Sequence, residues 1–334
     1  MQDTEAKLRQ AVNDLLADDK VDLVVAYAQG SVPMRTRPHF VRSADDADKL
    51  VWNSYCTNNL AVYLPRLFEK PARPPADYKP PRIGLVAKGC DARSVVGLLK
   101  EHQVPRANVV IIAVPCPGMV DLHKVEAALD GSVIAGCREA PDGTLEVTAA
   151  SGDETTFEKE DMLEQACLEC TLPSAEQADI VIEGWGRGAP EERYEKIKEF
   201  EAKPAEERWR YFVDEISRCI RCYACRQACP NCYCKVCFAD QTKPSWIGRG
   251  DDLSDVLLYH IGRIFHQAGR CVECDACVRA CPMNIDLRLF TQKLVKDVQE
   301  LFGYLPGLSV EELPPLCTFA QDDSESFITE PQES

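Results

Sequence analysis

The chain has 334 residues, 45% of them hydrophobic, and a formal net charge of −16. That length accommodates two domains with a sizeable core, and that hydrophobic share excludes a disordered chain. The acidic balance speaks against nucleic acid and anionic lipid as partners, because both select basic patches.

No apolar run reaches the roughly 18 residues a membrane span needs. Met1–Glu5 lacks the basic-then-apolar opening of a signal peptide,. Eighteen cysteines in such a chain read as metal ligands in a reducing cytoplasm rather than as disulfides,.

Residues 4–17 place Leu8, Val12, Leu15 and Leu16 on one helical face, and Val21–Tyr27 is an apolar run of strand length,. Pro71, Pro74, Pro75, Pro80 and Pro81 mark a loop,. Ile83–Ala87 reads as a strand, Asp91 as the cap of a helix carrying Ala92, Val95, Val96 and Leu99, and Val109–Val114 as a second strand,. Two apolar strands joined by a helix imply a parallel βαβ unit covered on both faces. Ala178–Ile182 is a further strand. The expectation is an α/β first domain over residues 1–190 with a mostly parallel sheet.

Residues 187–208 are highly charged and contain Pro190 and Pro204, so a domain boundary is placed there,. Beyond it a mainly α-helical domain is expected over 208–305. In its middle, Leu253, Leu257, Ile261, Ile264 and Phe265 fall on one helical face and read as core,. From Leu308 the chain carries seven carboxylates and no Lys or Arg, so 306–334 reads as an acidic tail,.

The strongest signal is a duplication. Cys219, Cys222, Cys225 and Cys229 follow C-x2-C-x2-C-x3-C with Pro230 next, and Cys271, Cys274, Cys277 and Cys281 repeat this with Pro282 next. The two twelve-residue segments agree at seven positions and lie 52 residues apart. A 4Fe–4S cube needs four thiolates around a compact body. Three closely spaced cysteines wrap one side, and the fourth arrives from the partner motif. Cys219, Cys222, Cys225 and Cys281 are therefore assigned to one cluster, and Cys271, Cys274, Cys277 and Cys229 to the other. A zinc site would more commonly use two short knuckles or mixed Cys/His sets.

A second group lies earlier. Cys90 and Cys116 each follow a parallel strand, where open α/β sheets bind ligands,. Cys167 and Cys170 form a C-x2-C pair. These four converge in the reading on a third cluster, with Cys56 as a spare candidate, while Cys137 and Cys317 read as small buried hydrophobes. Cys232, Cys234 and Cys237 follow the first motif directly. They read as ligands of zinc or of an additional cluster, as replacements for Cys229, or as packing thiols, and the alternatives stay open.

Two resemblances attach to these residues. The widely separated motifs with a helical connector resemble the helical dicluster ferredoxin domains of heterodisulfide reductase and fumarate reductase subunits. That resemblance implies a ferredoxin-like fold for the second domain. Val114–Gly118, Cys167-Leu168-Glu169-Cys170, Ala178-Asp179-Ile180 and Gly184-Trp185-Gly186 are similar to elements of deazaflavin-dependent hydrogenase and formate dehydrogenase β subunits. This likeness covers roughly residues 80 to 186 and implies a 4Fe–4S cluster beside FAD. No flavin-contacting residue is matched individually, so FAD stays open.

Arg218, Arg221, Arg226, Arg270 and Arg279 flank the cysteines and read as solvated arginines of a docking face, with an offset of cluster charge as the other reading,. His260 and His266 lack i, i+4 spacing and read as core or surface. No phosphate-loop or dinucleotide fingerprint occurs, and no catalytic residue is named. The chain reads as a cytoplasmic iron–sulfur electron-transfer subunit of an anaerobic oxidoreductase complex. Its partners would be subunits of formate dehydrogenase, hydrogenase or heterodisulfide reductase type. Alternatives are an FAD-containing reductase subunit and a zinc-stabilised structural subunit.

Overall fold

A computed structural model describes residues 2–140, 143–172, 175, 177–190 and 192–318. The acidic-tail reading falls outside the described residues from residue 319 onward. Among the described residues the strands are β1 (Leu23–Gln29), β2 (Thr36–Val41), β3 (Ile83–Ala87), β4 (Val109–Ala113), β5 (Ile134–Glu139), β6 (Thr144–Ala149), β7 (Glu154–Glu158) and β8 (Ile180–Val181). They form a five-stranded sheet in the order β2-β1-β3-β4-β8 and a three-stranded sheet in the order β5-β6-β7.

The larger sheet is parallel except for β2, which runs antiparallel to β1. Its central strands are apolar and buried almost throughout, which is what a sheet covered on both faces requires. Helix Gln2–Ala17 buries Leu8, Val12 and Leu15 against it. The βαβ unit is present, with one difference at the helix start. The helix spans Gly89–Lys100 with Lys88 as N-cap. Asp91 sits inside the first turn and accepts the Lys88 backbone N–H at 3.0 Å, so it caps from within.

Two features escaped the sequence reading. β2 contains Arg37, Pro38 and His39, a composition tolerated because the strand lies at the sheet edge. In β6, Leu145, Val147 and Ala149 are buried alternately with half-buried polar residues, the period of a one-faced strand. Leu145 and Val147 pack with Met34, Val120, Val125 and Leu163.

After Tyr194 the described residues form helices and loops. The longer helices are Glu195–Glu201, Ala205–Ser217, Leu253–His266 and Arg288–Phe302. The charged stretch read as a boundary is thus helical from Glu195. Ile197 is fully buried there, and Glu201 pairs with Lys293 and Lys296 at 3.0 Å.

Helix Leu253–His266 lies where expected, but its inward face is rotated. Val256, Tyr259, His260, Arg263 and Ile264 are buried, whereas Leu253 and Phe265 are 44% and 63% exposed. Leu257, Ile261 and Ile264 of the apolar stripe do pack into the core, while its outer members turn away because two polar side chains, His260 and Arg263, take the inward positions.

The two regions are joined by polar contacts. Arg270 forms a two-pronged pair with Glu101 at 2.5 and 2.7 Å, and Arg288 reaches Glu169 at 2.6 Å. Arg93 donates to Pro306 O at 2.9 Å and Val272 O at 3.3 Å. These contacts set the second cysteine motif against the carboxyl ends of β3 and β4.

The rotated face gives a test. Val256→Asp buries an unpaired charge and is expected to cost more than about 3 kcal/mol in chemical denaturation of the full chain, while Phe265→Asp stays within about 0.5 kcal/mol. The reverse order would restore the stripe as the core face.

Candidate metal centre

The sequence duplication is repeated in the backbone. In the first motif Arg221 and Tyr223 have φ of 51° and 60°, and in the second Glu273 and Asp275 have 58° and 51°. Left-handed geometry at a non-glycine residue costs roughly 1–2 kcal/mol, so four such positions at matched places mark loops held in shape by what they surround. Each motif then enters a single helical turn, Ala224–Gln227 or Ala276–Arg279. The tight loop aims an amide at sulfur: Arg221 N–H donates to Cys219 Sγ at 3.3 Å.

Cys219, Cys222, Cys225 and Cys281 line one small cavity, closed by Tyr259 and His260. His260 Nε2 lies 3.2 Å from Cys219 Sγ. Burial pushes the imidazole down to about 4. A neutral ring protonated at Nε2 donates there to a thiolate, while its buried Nδ1 has no partner. Cys271, Cys274 and Cys277 are neighbours of Cys229. Burial raises the Cys277 thiol to about 12 and the Cys271 thiol well above the usual range.

Cys232 contacts Cys229, and this contact raises Cys229 and lowers Cys232. Gln267 holds both, accepting from Cys229 Sγ at 3.6 Å and donating to Cys232 Sγ at 3.4 Å. Cys234 is exposed, and Cys237 turns to the Arg226 guanidinium.

A second cavity is lined by Cys90, Cys116, Cys167 and Cys170, and Cys274 stands in its wall. Cys90 opens the helix after β3, Cys116 follows β4, and Cys167 sits in the turn Gln165–Leu168. Burial raises Cys116 to about 12 and Cys167 to about 11, and lifts Cys90 well above its usual value. Cys56 is not in this wall. Its buried thiol faces Asn53 Oδ1 at 3.6 Å and Val51 O at 3.9 Å.

Lys88 borders the same cavity and is itself buried. Its Nζ donates to Cys56 O and Asn58 O at 2.9 Å, hydrogen-bonds to Tyr27, and pairs with Asp91 at 2.9 Å. Arg187 ties two cysteine loops together. Its backbone N–H donates to Cys116 O and its Nη1 to Cys167 O, both at 2.8 Å. Gly186 permits this passage, because a Cβ there would come within 3.1 Å of Pro115 Cβ.

The donor sets suit iron–sulfur clusters. Soft thiolates favour them; Cys219, Cys222, Cys225 and Cys281 line one cavity and Cys90, Cys116, Cys167 and Cys170 another. Among the described residues no three His, Cys, Asp or Glu side chains close around a point fit for one metal ion. The raised thiols must release protons to bind metal.

The flanking arginines depart from the docking-face reading. Arg218 remains partly exposed. Arg221 is buried and donates to Gly248 O at 2.7 Å; Arg279 donates to Thr57 O at 2.9 Å; Arg226 pairs with Asp240 at 2.8 Å. They staple loops around the cysteines. Sequence reasoning also passed over Arg187, Gln267 and Arg263, since a single polar residue away from a motif gives no periodic or spacing signal.

A cavity of about 1040 Å³ lies beside Cys229 and Cys232, between the two regions. Eight Lys and Arg side chains line it against four carboxylates, the reverse of the chain's −16 balance. One carboxylate is Glu164, which burial raises to about 7, with Arg279 at 3.9 Å working against that rise.

Residues 81–198 match the family described as the C terminus of the coenzyme F420 hydrogenase/dehydrogenase beta subunit, and residues 215–285 match the 4Fe-4S dicluster domain. The F420-dependent formate dehydrogenase subunit beta of Methanocaldococcus jannaschii is 25% identical over a 365-residue alignment covering 90% of this chain and 91% of the relative. The F420-dependent formate dehydrogenase 1 subunit beta of Methanococcus maripaludis is 23% identical over 364 residues, covering 90% of each. A solved structure of the F420-reducing NiFe hydrogenase complex from Methanosarcina barkeri aligns with a TM-score of 0.37 at 14% identity, covering 52% of this chain and 61% of that chain, a likeness too slight to argue from. The chain thus pairs a region of the hydrogenase/dehydrogenase β type with an iron–sulfur dicluster domain.

Glu164 sets a pH expectation. Its folded-state value is raised from 4.5 to about 7. Its neutral form is therefore compatible with folding below 4.5, and stability falls as pH rises towards 7. Across that window wild type is expected to lose up to about 3 kcal/mol that Glu164→Gln retains. Parallel denaturation curves for the two proteins across this pH range check it; a pH-independent difference would count against the buried carboxyl.

Proposed function

We propose that this chain, an iron–sulfur electron-transfer protein, is the β-type subunit of an anaerobic, deazaflavin-linked formate dehydrogenase or hydrogenase complex. A heterodisulfide reductase-type assembly is a further setting for the same module. The chain relays single electrons between partner redox centres in the cytoplasm. Its division is an α/β domain over 1–190, a helical dicluster ferredoxin-like domain over 208–305 and an acidic tail over 306–334. In support of a location in water, no described helix is long and apolar enough to cross a membrane.

Cys219, Cys222, Cys225 and Cys281 hold one 4Fe–4S cluster, and Cys271, Cys274, Cys277 and Cys229 a second. Cys90, Cys116, Cys167 and Cys170 hold a third. The observation carrying this reading is that Cys274 belongs to the second set and also lines the cavity of the third. A cluster in each position would have its neighbour across one wall, the arrangement that a line of single-electron carriers needs. Such clusters supply one-electron chemistry at potentials from about −700 to +450 mV, set by charge, hydrogen bonding and exposure. The protein's share is to hold the thiolates, exclude water and place charge.

One observation favours a second reading, an FAD-containing reductase subunit. The basic cavity beside Cys229 has the size of a cofactor site,. Arg66, Arg226 and Arg279 on its wall suit a pyrophosphate,. A flavin would exchange a two-electron hydride for single electrons.

Anaerobically prepared protein is expected to carry about twelve irons with matching sulfide, at four irons per cube. Cys90→Ser with Cys116→Ser should lower this to about eight irons while leaving the dicluster signals in the electron paramagnetic resonance spectrum. Stoichiometric FAD in the same samples would support the reductase reading. Zinc without iron would overturn both.

A further inference from the structure

Among the described residues two buried arginines have no carboxylate partner: Arg93, which donates to two backbone oxygens, and Arg263, which donates to one. Arg263 lies in the last turn of helix Leu253–His266 and is 4% exposed. Lys88 has Asp91, and Arg288 has Asp275 and Glu169. Among the described residues Arg263 has no carboxylate within 4.0 Å. Its Nη2 donates to the backbone oxygen of Cys225 at 3.1 Å, while its buried Nε and Nη1 have no partner.

Its strongest charged neighbours are sulfur, with the Tyr259 and His260 rings also beside it. Cys277, Cys229, Cys232 and Cys225 face it. Cys225 belongs to the first cluster site, and Cys229 and Cys277 to the second. Arg263 also borders the large basic cavity beside Cys229, yet a buried guanidinium without a carboxylate is costly unless an anion compensates it. Two guanidinium nitrogens without acceptors beside this set of thiols point to an anion that the side chains alone do not provide,. A four-iron cluster with four thiolates carries net negative charge, and each added electron deepens it.

We propose that Arg263 is a shared counter-cation for the two ferredoxin-type clusters, raising the reduction potential of both. The inference rests on the ligand assignments of the proposed function. A fixed positive charge favours the state with one more electron, so removing it shifts both couples to lower potential. Arg263 is a positioning residue: it acts on the clusters' electrostatics and neither ligates iron nor meets a substrate.

The test uses the full chain, reconstituted without oxygen, as wild type, Arg263→Gln and Arg263→Lys. Iron and sulfide are measured first, then both dicluster potentials by titration followed with electron paramagnetic resonance. Glutamine keeps hydrogen-bonding capacity and removes the charge; lysine keeps the charge. The expected result is wild-type iron content throughout. Both couples move to lower potential in Arg263→Gln, and by less than half as much in Arg263→Lys. Equal shifts in the two variants, no shift, or movement of one couple alone would overturn the proposal. If Arg263→Gln does not load iron, loading by Arg263→Lys supports the charge requirement, whereas failure of both marks a packing role and overturns it. Iron absent from wild type would instead refute the cluster assignments.

Discussion

Burying sulfur donors that must become anionic is the constraint on which this structure turns. In the protein interior the thiols resist ionisation, as the upward displacement of Cys116, Cys167 and Cys277 records. Metal has to displace those protons, and the thiolates then require positive charge nearby. Lys88, Arg279 and Arg288 are buried or strongly desolvated close to the cysteine loops. A net-acidic chain has placed several buried cations where the fold has gathered sulfur.

The same cations connect the two regions. Arg270 with Glu101, Arg288 with Glu169, and Arg93 with two backbone oxygens form a polar seam instead of a continuous apolar interface. Desolvated ion pairs of this kind add little net stability, yet breaking one partner is expensive. Their contribution is therefore alignment. Cys274 meets the wall formed by Cys90 and Cys116 next to that seam.

Much of the parallel sheet was legible because its central strands are continuous apolar runs, as in Ile83–Ala87 and Val109–Ala113. Strand β6 was missed since its alternation spans only six residues, and β2 since Pro38 argues against a strand unless its edge position is known. The cysteine spacing identified the chemistry, and the β-subunit likeness was visible in short elements around Cys116 and Cys167. What surrounds the thiols was not legible. Periodicity put Phe265 inward and left Arg263 aside, because hydrophobic pattern reading treats a buried polar side chain as an error. Arg187 and Gln267 reach their partners through folds of the chain that no local window contains.

The wall of each sulfur-lined cavity has a bearing on when the protein can mature. Cys281 faces Cys219, and Cys274 closes the space opened by Cys90. As the chain leaves the ribosome, its earliest cysteines emerge long before these last contributors. None of the pockets described is complete until the segment after Gly269 has been made and folded back. On the proposed ligand assignments, iron insertion would wait for a nearly finished polypeptide, and a prematurely ended product would offer thiols but no finished receptacle.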